Sequence, residues 1–388
     1  MNSDIIVIGG GVIGTSIAYN LSKNGKKVTL IEKDDHARGA SGSSDQLVLM
    51  QSKKPGVHLA LALESLKMYK TLEEELGEPI HFRQLGGLIL IENEDEMKLM
   101  EQFVERQKKT GLDVSIISLE EINKLQEGIS QDIIGATYSP MDGEVDPIAL
   151  NVAFAKAAKR EGTEIILGTE VKDILMEDNR ITGVETDKGT FHAPVVINAA
   201  GVWAPLLAEK VGFDAPIKPR RGQICITDEV DYFVHMPVLS AKYIMAKHNP
   251  DLLKDAPEVV SRLGIGLALS QSPKGNIMFG ATREFVGYDK GVTYEGISEV
   301  VKNAARYFPK LRDMSIIRTM GGMRPFTPDG LPLIGWTDGI EGFFMAAGHE
   351  GDGIALAPVT GKVVSDLILH GETFVDVSGF NPNRFAGK

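Results

Sequence analysis

The chain of 388 residues holds a single cysteine, Cys225, which leaves it without an intramolecular disulfide or a thiolate metal cluster and suits a reducing compartment such as the cytoplasm. Basic residues are in deficit. Lysine and arginine number 41 against 53 aspartates and glutamates, a formal charge of −12, which argues against a surface for nucleic acid or anionic membrane. No apolar run reaches the roughly 20 residues a membrane-spanning helix needs. The stretch near the start is broken by Gly9, Gly10, Gly11 and Gly14 and does not read as a secretory leader. Neither HExxH nor a CxxC pair appears, so no metal is expected, and no internal repeat or low-complexity linker is found.

Against these absences, 43% of the residues are apolar and 24% charged, enough for a sizeable core; the length suggests two domains, or one with a subdomain inserted into it. Glycine is in excess, 42 residues with no tract to account for them, so the backbone must approach something closely at several places. Asp4 to Ile8 is a β-branched run suited to a buried parallel strand; Ile13, Ile17 and Leu21 then mark one face of a helix, and Val28 to Glu32 is a second strand. This is a βαβ unit. Helical patterns follow over Pro55 to Leu76, Glu94 to Gln107 and Leu119 to Leu125, and Asp146-Pro147 opens a helix through Arg160. Strands are expected at Gly87 to Ile91, Ile133 to Tyr138, Glu164 to Val171 and Val195 to Ile197, with hairpins around Asp187-Lys188-Gly189 and Pro273 to Asn276. Ile217 to Arg318 is rich in strand patterns, with a helix near Ser298 to Tyr307. The expected architecture is α/β: a discontinuous Rossmann-like dinucleotide-binding domain (1–79, 146–215, 320–388) with a β-rich antiparallel α+β substrate domain (80–145, 216–319) threaded through it.

Gly9-x-Gly11-x-x-Gly14 stands between the first strand and its helix, where a dinucleotide fingerprint belongs. Gly9 serves the turn, Gly11 the approach of a pyrophosphate, and Gly14 the packing of helix on strand. Glu32, at the end of the second strand, is the acid expected on a ribose, which disfavours a 2′-phosphate. Arg38-Gly39-Ala40-Ser41-Gly42-Ser43-Ser44 offers hydroxyls and backbone N–H groups for a second phosphate-facing surface. Near the end, Phe343 to Ile354 repeats the order of strand and glycine loop ahead of a helix, a second place where backbone donors meet an electron-rich ligand.

Taken together, Gly9-x-Gly11-x-x-Gly14 with Glu32, Gly39-Ala40-Ser41-Gly42, Glu170-Val171, Asn198 to Trp203, Arg324-Pro325 with Thr327 to Gly330, and Gly348 to Ile354 resemble the D-amino-acid oxidase family of FAD-dependent amine oxidoreductases. That group includes glycine oxidase, sarcosine oxidase and the flavin subunits of proline, hydroxyproline and opine dehydrogenases. The resemblance implies FAD, held non-covalently because no cysteine or histidine stands where some relatives attach it. Gly9, Gly11 and Gly14 would meet the pyrophosphate with Val12 and Ile13 beside them, and Glu32 and Lys33 the adenosine ribose. Ala40 and Ser41 would reach the phosphate and ribityl region, Val171 the adenine, and Ala200, Gly201 and Trp203 would border the cofactor. The loop of Gly348, His349, Glu350, Gly351, Asp352, Gly353 and Ile354 would lie against the pyrimidine edge of the flavin. Arg324 would grip a substrate carboxylate with its planar fork, Tyr243 would lie above the flavin, with an ordinary strand tyrosine as the default, and His349 would be an acid or base or simply bond to backbone.

The implied reaction oxidises the Cα–N bond of a small amino or imino acid by hydride transfer to flavin N5, after which water hydrolyses the imine. Oxidation of a 2-hydroxy acid or glycerol phosphate on the same fold, or a non-catalytic flavin electron-transfer subunit, stands as an alternative. Where glycine oxidases carry a second arginine in the last glycine loop, this chain has Gly351. The Gly-His-Glu-Gly sequence there is nearer to the multisubunit dehydrogenases, so an electron-accepting partner subunit is expected, or else a homo-oligomer. Asp45 and Gln46 occupy a stretch where many relatives carry small residues.

Overall fold

The computed structural model describes residues 3–248 and 257–386. Ile5–Ile8, buried at every position, lies at the heart of a six-stranded sheet and pairs in parallel with Val28–Ile31 on one side and Val195–Asn198 on the other. Glu164–Ile166 extends the sheet beyond Val28–Ile31; Phe343–Ala347 extends it beyond Val195–Asn198, and Leu333–Trp336 closes that edge antiparallel. Sequence-distant runs of valine, isoleucine and phenylalanine thus assemble one sheet because only a position between two covering layers buries both of their faces. Helices Val12–Lys23, Pro147–Arg160, Val57–Leu76 and Gly353–His370 share a core with it that includes Ile17, Leu21, Leu61, Phe154 and Val363. Gly353–His370 has the length and apolarity to cross a membrane, but 67% of it is buried inside the protein, where it packs on Val12–Lys23 and Val57–Leu76.

A second sheet has eight strands in the order Ile316–Phe326, Lys218–Glu229, Asn276–Gly280, Ala268–Gln271, Val238–Ser240, Gly87–Ile91, Gly135–Ser139 and Ser115–Ser118. Its neighbours run antiparallel, as expected of this β-rich part, except Val238–Ser240 beside Gly87–Ile91, a parallel pair that sews the two sequence segments together. The expected domain boundary at residue 320 falls inside the strand Ile316–Phe326.

Asp146 caps the helix Pro147–Arg160 as its sequence suggests, its carboxylate accepting from the Ile148 and Ala149 N–H groups at 2.9 and 3.0 Å. Two expectations are corrected. Glu164 to Val171 is not one strand: Glu164–Ile166 ends early, and Val171–Glu177 begins a separate three-stranded antiparallel sheet with Arg180–Thr186 and Gly189–His192. Tyr243 lies in a helix, Ala241–His248, rather than a strand, because after Val238–Ser240 the chain runs through alanine, lysine and methionine, which favour helix. Cys225 is fully buried, and burial pushes its thiol up to about 12, which makes it an inert core residue.

Candidate functional site

Both glycine turns open onto one cavity of about 340 Å³ between the two sheets. At the first, Gly9 has a φ of +112°, and a Cβ there would stand 2.6 Å from the Ala199 carbonyl oxygen, so only glycine fits. Gly14 packs its helix onto the Gly9 carbonyl and does not line the cavity; its part is the close approach of helix to strand. The helix Val12–Lys23 starts without a side-chain cap from Gly11; the Val12 N–H donates instead to Ser41 Oγ at 3.0 Å, which draws the serine-glycine loop over the positive helix end. Glu32 accepts from the N–H groups of Gly10 and Asp34 at 2.6 and 2.9 Å and so fixes the turn to the second strand. Asn151 donates to the Gly10 carbonyl at 3.0 Å from the helix Pro147–Arg160, a positioning contact that no local motif announces.

Val12, Ile13, Glu32, Lys33, Ala40 and Ser41 all line the cavity, as do Gly9 and Gly11. Val171, Ala200, Gly201 and Trp203 wall the same end, where the Lys33 ammonium sits 3.5 Å from the centre of the Trp203 ring. These residues fit an adenine dinucleotide: a Gly-only backbone approach, an open helix N-terminus, and an acid one strand away.

At the other end the buried strand Phe343–Ala347 turns at Gly348, with a φ of +84°, into the helix Gly353–His370. Gly348, His349, Glu350, Gly351, Gly353 and Ile354 line the cavity. Asp352 does not; it turns away to accept from Lys53 and Lys247, each at 2.8 Å, with His58 Nε2 3.5 Å from it. Burial would raise the Asp352 carboxyl, but Lys247 and Lys53 hold it well below the usual carboxylate range, and burial drives His58 down to about 3. Glu350 forms a buried ion pair with Arg220, and against the cost of burial Arg220, Lys247 and Arg324 keep it ionised. His349 bonds the Thr360 hydroxyl at 3.3 Å, and burial lowers its pKa to about 4, so at neutral pH it is an uncharged ring.

Arg324 and Tyr243 also line this end. Arg324 donates to the Thr282 carbonyl at 3.0 Å and lies across Gly222 of the adjacent strand, where any Cβ would come within 2.6 Å of its Cζ. Gly222 therefore makes room for the guanidinium. The sequence reading missed Arg283. It is 7% exposed, its guanidinium lies 3.7 Å from the centre of the Tyr243 ring, and all three of its nitrogens lack a hydrogen-bond partner among the described residues. Burial, with Arg324 and Arg220 nearby, lowers its pKa to about 10, still a cation at pH 7. Arg283 does not itself line the cavity, but its buried charge beside Arg324 makes this end electropositive, which favours an anionic ligand at Arg324.

Comparison with known proteins agrees with this geometry. Residues 4–367 match the model of the family described as FAD dependent oxidoreductase. The chain is similar to the hydrogen cyanide synthase subunit HcnC of Pseudomonas aeruginosa, 29% identical over 98% of this chain and 96% of that protein. It is 30% identical to a glycine oxidase of Geobacillus kaustophilus over 99% and 98% of the two chains. Among solved structures, the L-proline dehydrogenase of P. horikoshii superposes with a TM-score of 0.89 at 32% identity, covering 99% of this chain and 98% of that one.

Proposed function

The chain belongs to the FAD dependent oxidoreductase family, and on that premise we propose that it oxidises the Cα–N bond of a small amino or imino acid. The observation that carries this reading is the cationic end of the cavity: Arg324, bonded to Thr282 and given room by Gly222, with Arg283, which has no hydrogen-bond partner among the described residues, behind Tyr243. The Arg324 guanidinium at the cavity wall, with the Arg283 charge behind Tyr243 adding to the positive potential there, suits a carboxylate, and relatives named for glycine and L-proline act on substrates that carry one. Bound FAD supplies a two-electron acceptor for a hydride.

The remaining roles follow from position. Gly9, Gly11, Val12, Ile13, Glu32, Lys33, Ala40 and Ser41 hold the adenosine and pyrophosphate, with Val171, Ala200, Gly201 and Trp203 as the opposite wall. The loop from Gly348 to Ile354 would border the flavin ring, with the first N–H groups of the helix Gly353–His370 as the donors, since those of Glu350, Gly351 and Asp352 are bonded within the loop and to Pro325; Arg324 orients the carboxylate, and Tyr243 roofs the substrate. His349, neutral and tied to Thr360, shapes the loop rather than moving a proton. We assign 1–79, 146–215 and 320–388 to the FAD-binding domain and the rest to the substrate domain, with the last boundary crossing the strand Ile316–Phe326, whose pairing on Lys218–Glu229 joins the two, and we place the protein in the cytoplasm.

The purified protein should be yellow, with bands near about 370 and 450 nm. Anaerobic bleaching by sarcosine, glycine, proline or hydroxyproline, and not by lactate, 2-hydroxyglutarate or glycerol phosphate, is the expected result. Bleaching by the hydroxy acids alone would transfer the assignment to C–O oxidation.

A further inference from the structure

Asp45 is a carboxylate at the reacting end of the cavity that no role yet uses. With Tyr243 and Gly351 it lines both the main cavity and a small one of about 10 Å³ behind it, room for about one water. Its backbone is anchored from three sides. The Asp45 carbonyl accepts from Ser270 Oγ at 3.4 Å, and the Gln46 carbonyl accepts from the Val145 N–H at 2.9 Å. Leu47 pairs with Glu144. Gln46 has a φ of +69°, a conformation a side chain adopts only where its surroundings enforce it. The acids around it are taken: Glu350 by Arg220, Asp352 by Lys53 and Lys247, and Glu284 by Arg221. Asp45 has no such ion pair among the described residues; Arg324 and the backbone N–H groups of Asp45 and Leu47 favour its ionised form.

We propose that Asp45 takes the proton that an amino acid carries on its nitrogen, so that the substrate is oxidised as the neutral amine. The inference rests on the proposed function and adds a base to it. Arg324 at the cavity wall, with Arg283 behind Tyr243, repels an ammonium while it attracts the carboxylate two bonds away, and Asp45 lines the same cavity as an acceptor. In the step, an N–H bond of the ammonium breaks with its electron pair left on nitrogen, and an O–H bond forms on Asp45. The freed nitrogen lone pair can then close a C=N bond as Cα gives up its hydrogen with the bonding pair, a hydride for which bound FAD would supply the acceptor. Water hydrolyses the resulting iminium, and Asp45 returns its proton to solvent. The charges that face Asp45 are Arg324 and Arg283, with Glu350 and Tyr243 beyond them and Lys53, Lys247 and Asp352 around the small cavity. Burial raises the Asp45 carboxyl above its ordinary value, and Arg324 and Arg283 only partly oppose this, which moves it toward the range where a base works.

The test is anaerobic stopped-flow bleaching of the FAD-loaded protein between pH 5 and 10 by sarcosine or proline, whichever reduces the wild type. The wild-type rate should hold up well below the ionisation of the free amine. In Asp45→Asn the acid limb should move up to that ionisation, leaving bleaching about 100-fold slower at pH 7 and near wild type at pH 10. An unchanged profile in Asp45→Asn overturns the proposal. If no amino or imino acid bleaches the wild type, the reading of function falls first, and this one with it. A binding measurement on the wild type needs no variant: propanoate, a carboxylate without an amine, should bind more tightly as the pH falls from 9 to 5, toward the raised Asp45 ionisation, and Asp45 loses its repelling charge. Affinity independent of pH over that window would overturn the proposal even if Asp45→Asn fails to fold.

Discussion

At the scale of single residues, the two arginines of the site differ in what their loss should do. Arg324 presents a braced fork, and Arg324→Lys keeps the charge but not the two-point grip; substrate affinity should fall about 10- to 1000-fold with FAD retained, as titration under anaerobic conditions would show. Arg283 has no hydrogen-bond or ion-pair partner among the described residues and would lose only its stacking on Tyr243. Arg283→Met should stabilise the unliganded fold by about 1–4 kcal/mol in chemical denaturation while it weakens substrate binding, because a buried uncompensated charge is exchanged for an apolar side chain of similar reach. A lower stability would mean that Arg283 already has an anion in solution. Arg324 was legible in the sequence because a motif surrounds it. Arg283 was not, since an arginine followed by glutamate at the end of a strand has nothing unusual until burial strips it of water. The same holds for the joining of Lys53, Lys247 and Asp352, which are far apart in the chain and meet only in the fold.

Among the elements, the strand, glycine turn and helix near each end of the chain were read correctly from periodicity and glycine spacing, because buried parallel strands leave a continuous apolar run that polar edge strands lack. The helix Ala241–His248 was not so readable, its eight residues being too short to show a period. Nor was the parallel pairing of Val238–Ser240 with Gly87–Ile91, which joins segments some 150 residues apart and depends on the whole sheet. Close packing of elements gives its own prediction. Gly14→Ala would drive a methyl into the Gly9 carbonyl, spread helix from strand, and cost about 1–3 kcal/mol of stability together with much of the bound flavin, measurable as the 450 nm absorbance per protein after gel filtration. Gly222→Ala should act differently. The atoms nearest its methyl are those of the Arg324 guanidinium, which must shift from its bond to Thr282, so flavin content should stay near wild type while substrate affinity drops.

For the molecule as a whole, buried ionisable groups shape stability against pH. His58 and His349 have pKa values depressed to about 3 and about 4, below the 6.5 of an unfolded histidine, so between those limits the unfolded chain binds more protons and stability falls as pH falls. Each contributes up to about 1.4 kcal/mol per pH unit in that window. Asp142, raised to about 6 by burial, works in the opposite sense between pH 4 and 6 and partly offsets them. His349→Gln should therefore lose less stability than the wild type between pH 6.5 and 4.5, and equal losses in denaturant titrations at the two pH values would contradict the assignment of a neutral buried ring. The fate of the electrons also belongs to this scale. We expect slow peroxide formation in air and fast turnover with an artificial dye, with a partner protein as the natural acceptor; rapid reoxidation by oxygen in stopped flow would make this a free-standing oxidase. The exposed apolar residues Phe285, Tyr288, Val292 and Tyr294, close together in the chain, offer a place to look for such a partner.

The order of strands in the two sheets has a consequence for how the protein is made. Ile5–Ile8 leaves the ribosome early, yet its neighbour Val195–Asn198 comes some 190 residues later, and Phe343–Ala347, which covers the far edge of that neighbour, later still. The eight-stranded sheet likewise waits for Ile316–Phe326. During translation the nascent chain must therefore carry open strand edges for most of its synthesis, and a product that stops before Phe343 would leave Val195–Asn198 as a bare hydrophobic edge, the kind of surface that chaperones bind and that otherwise aggregates.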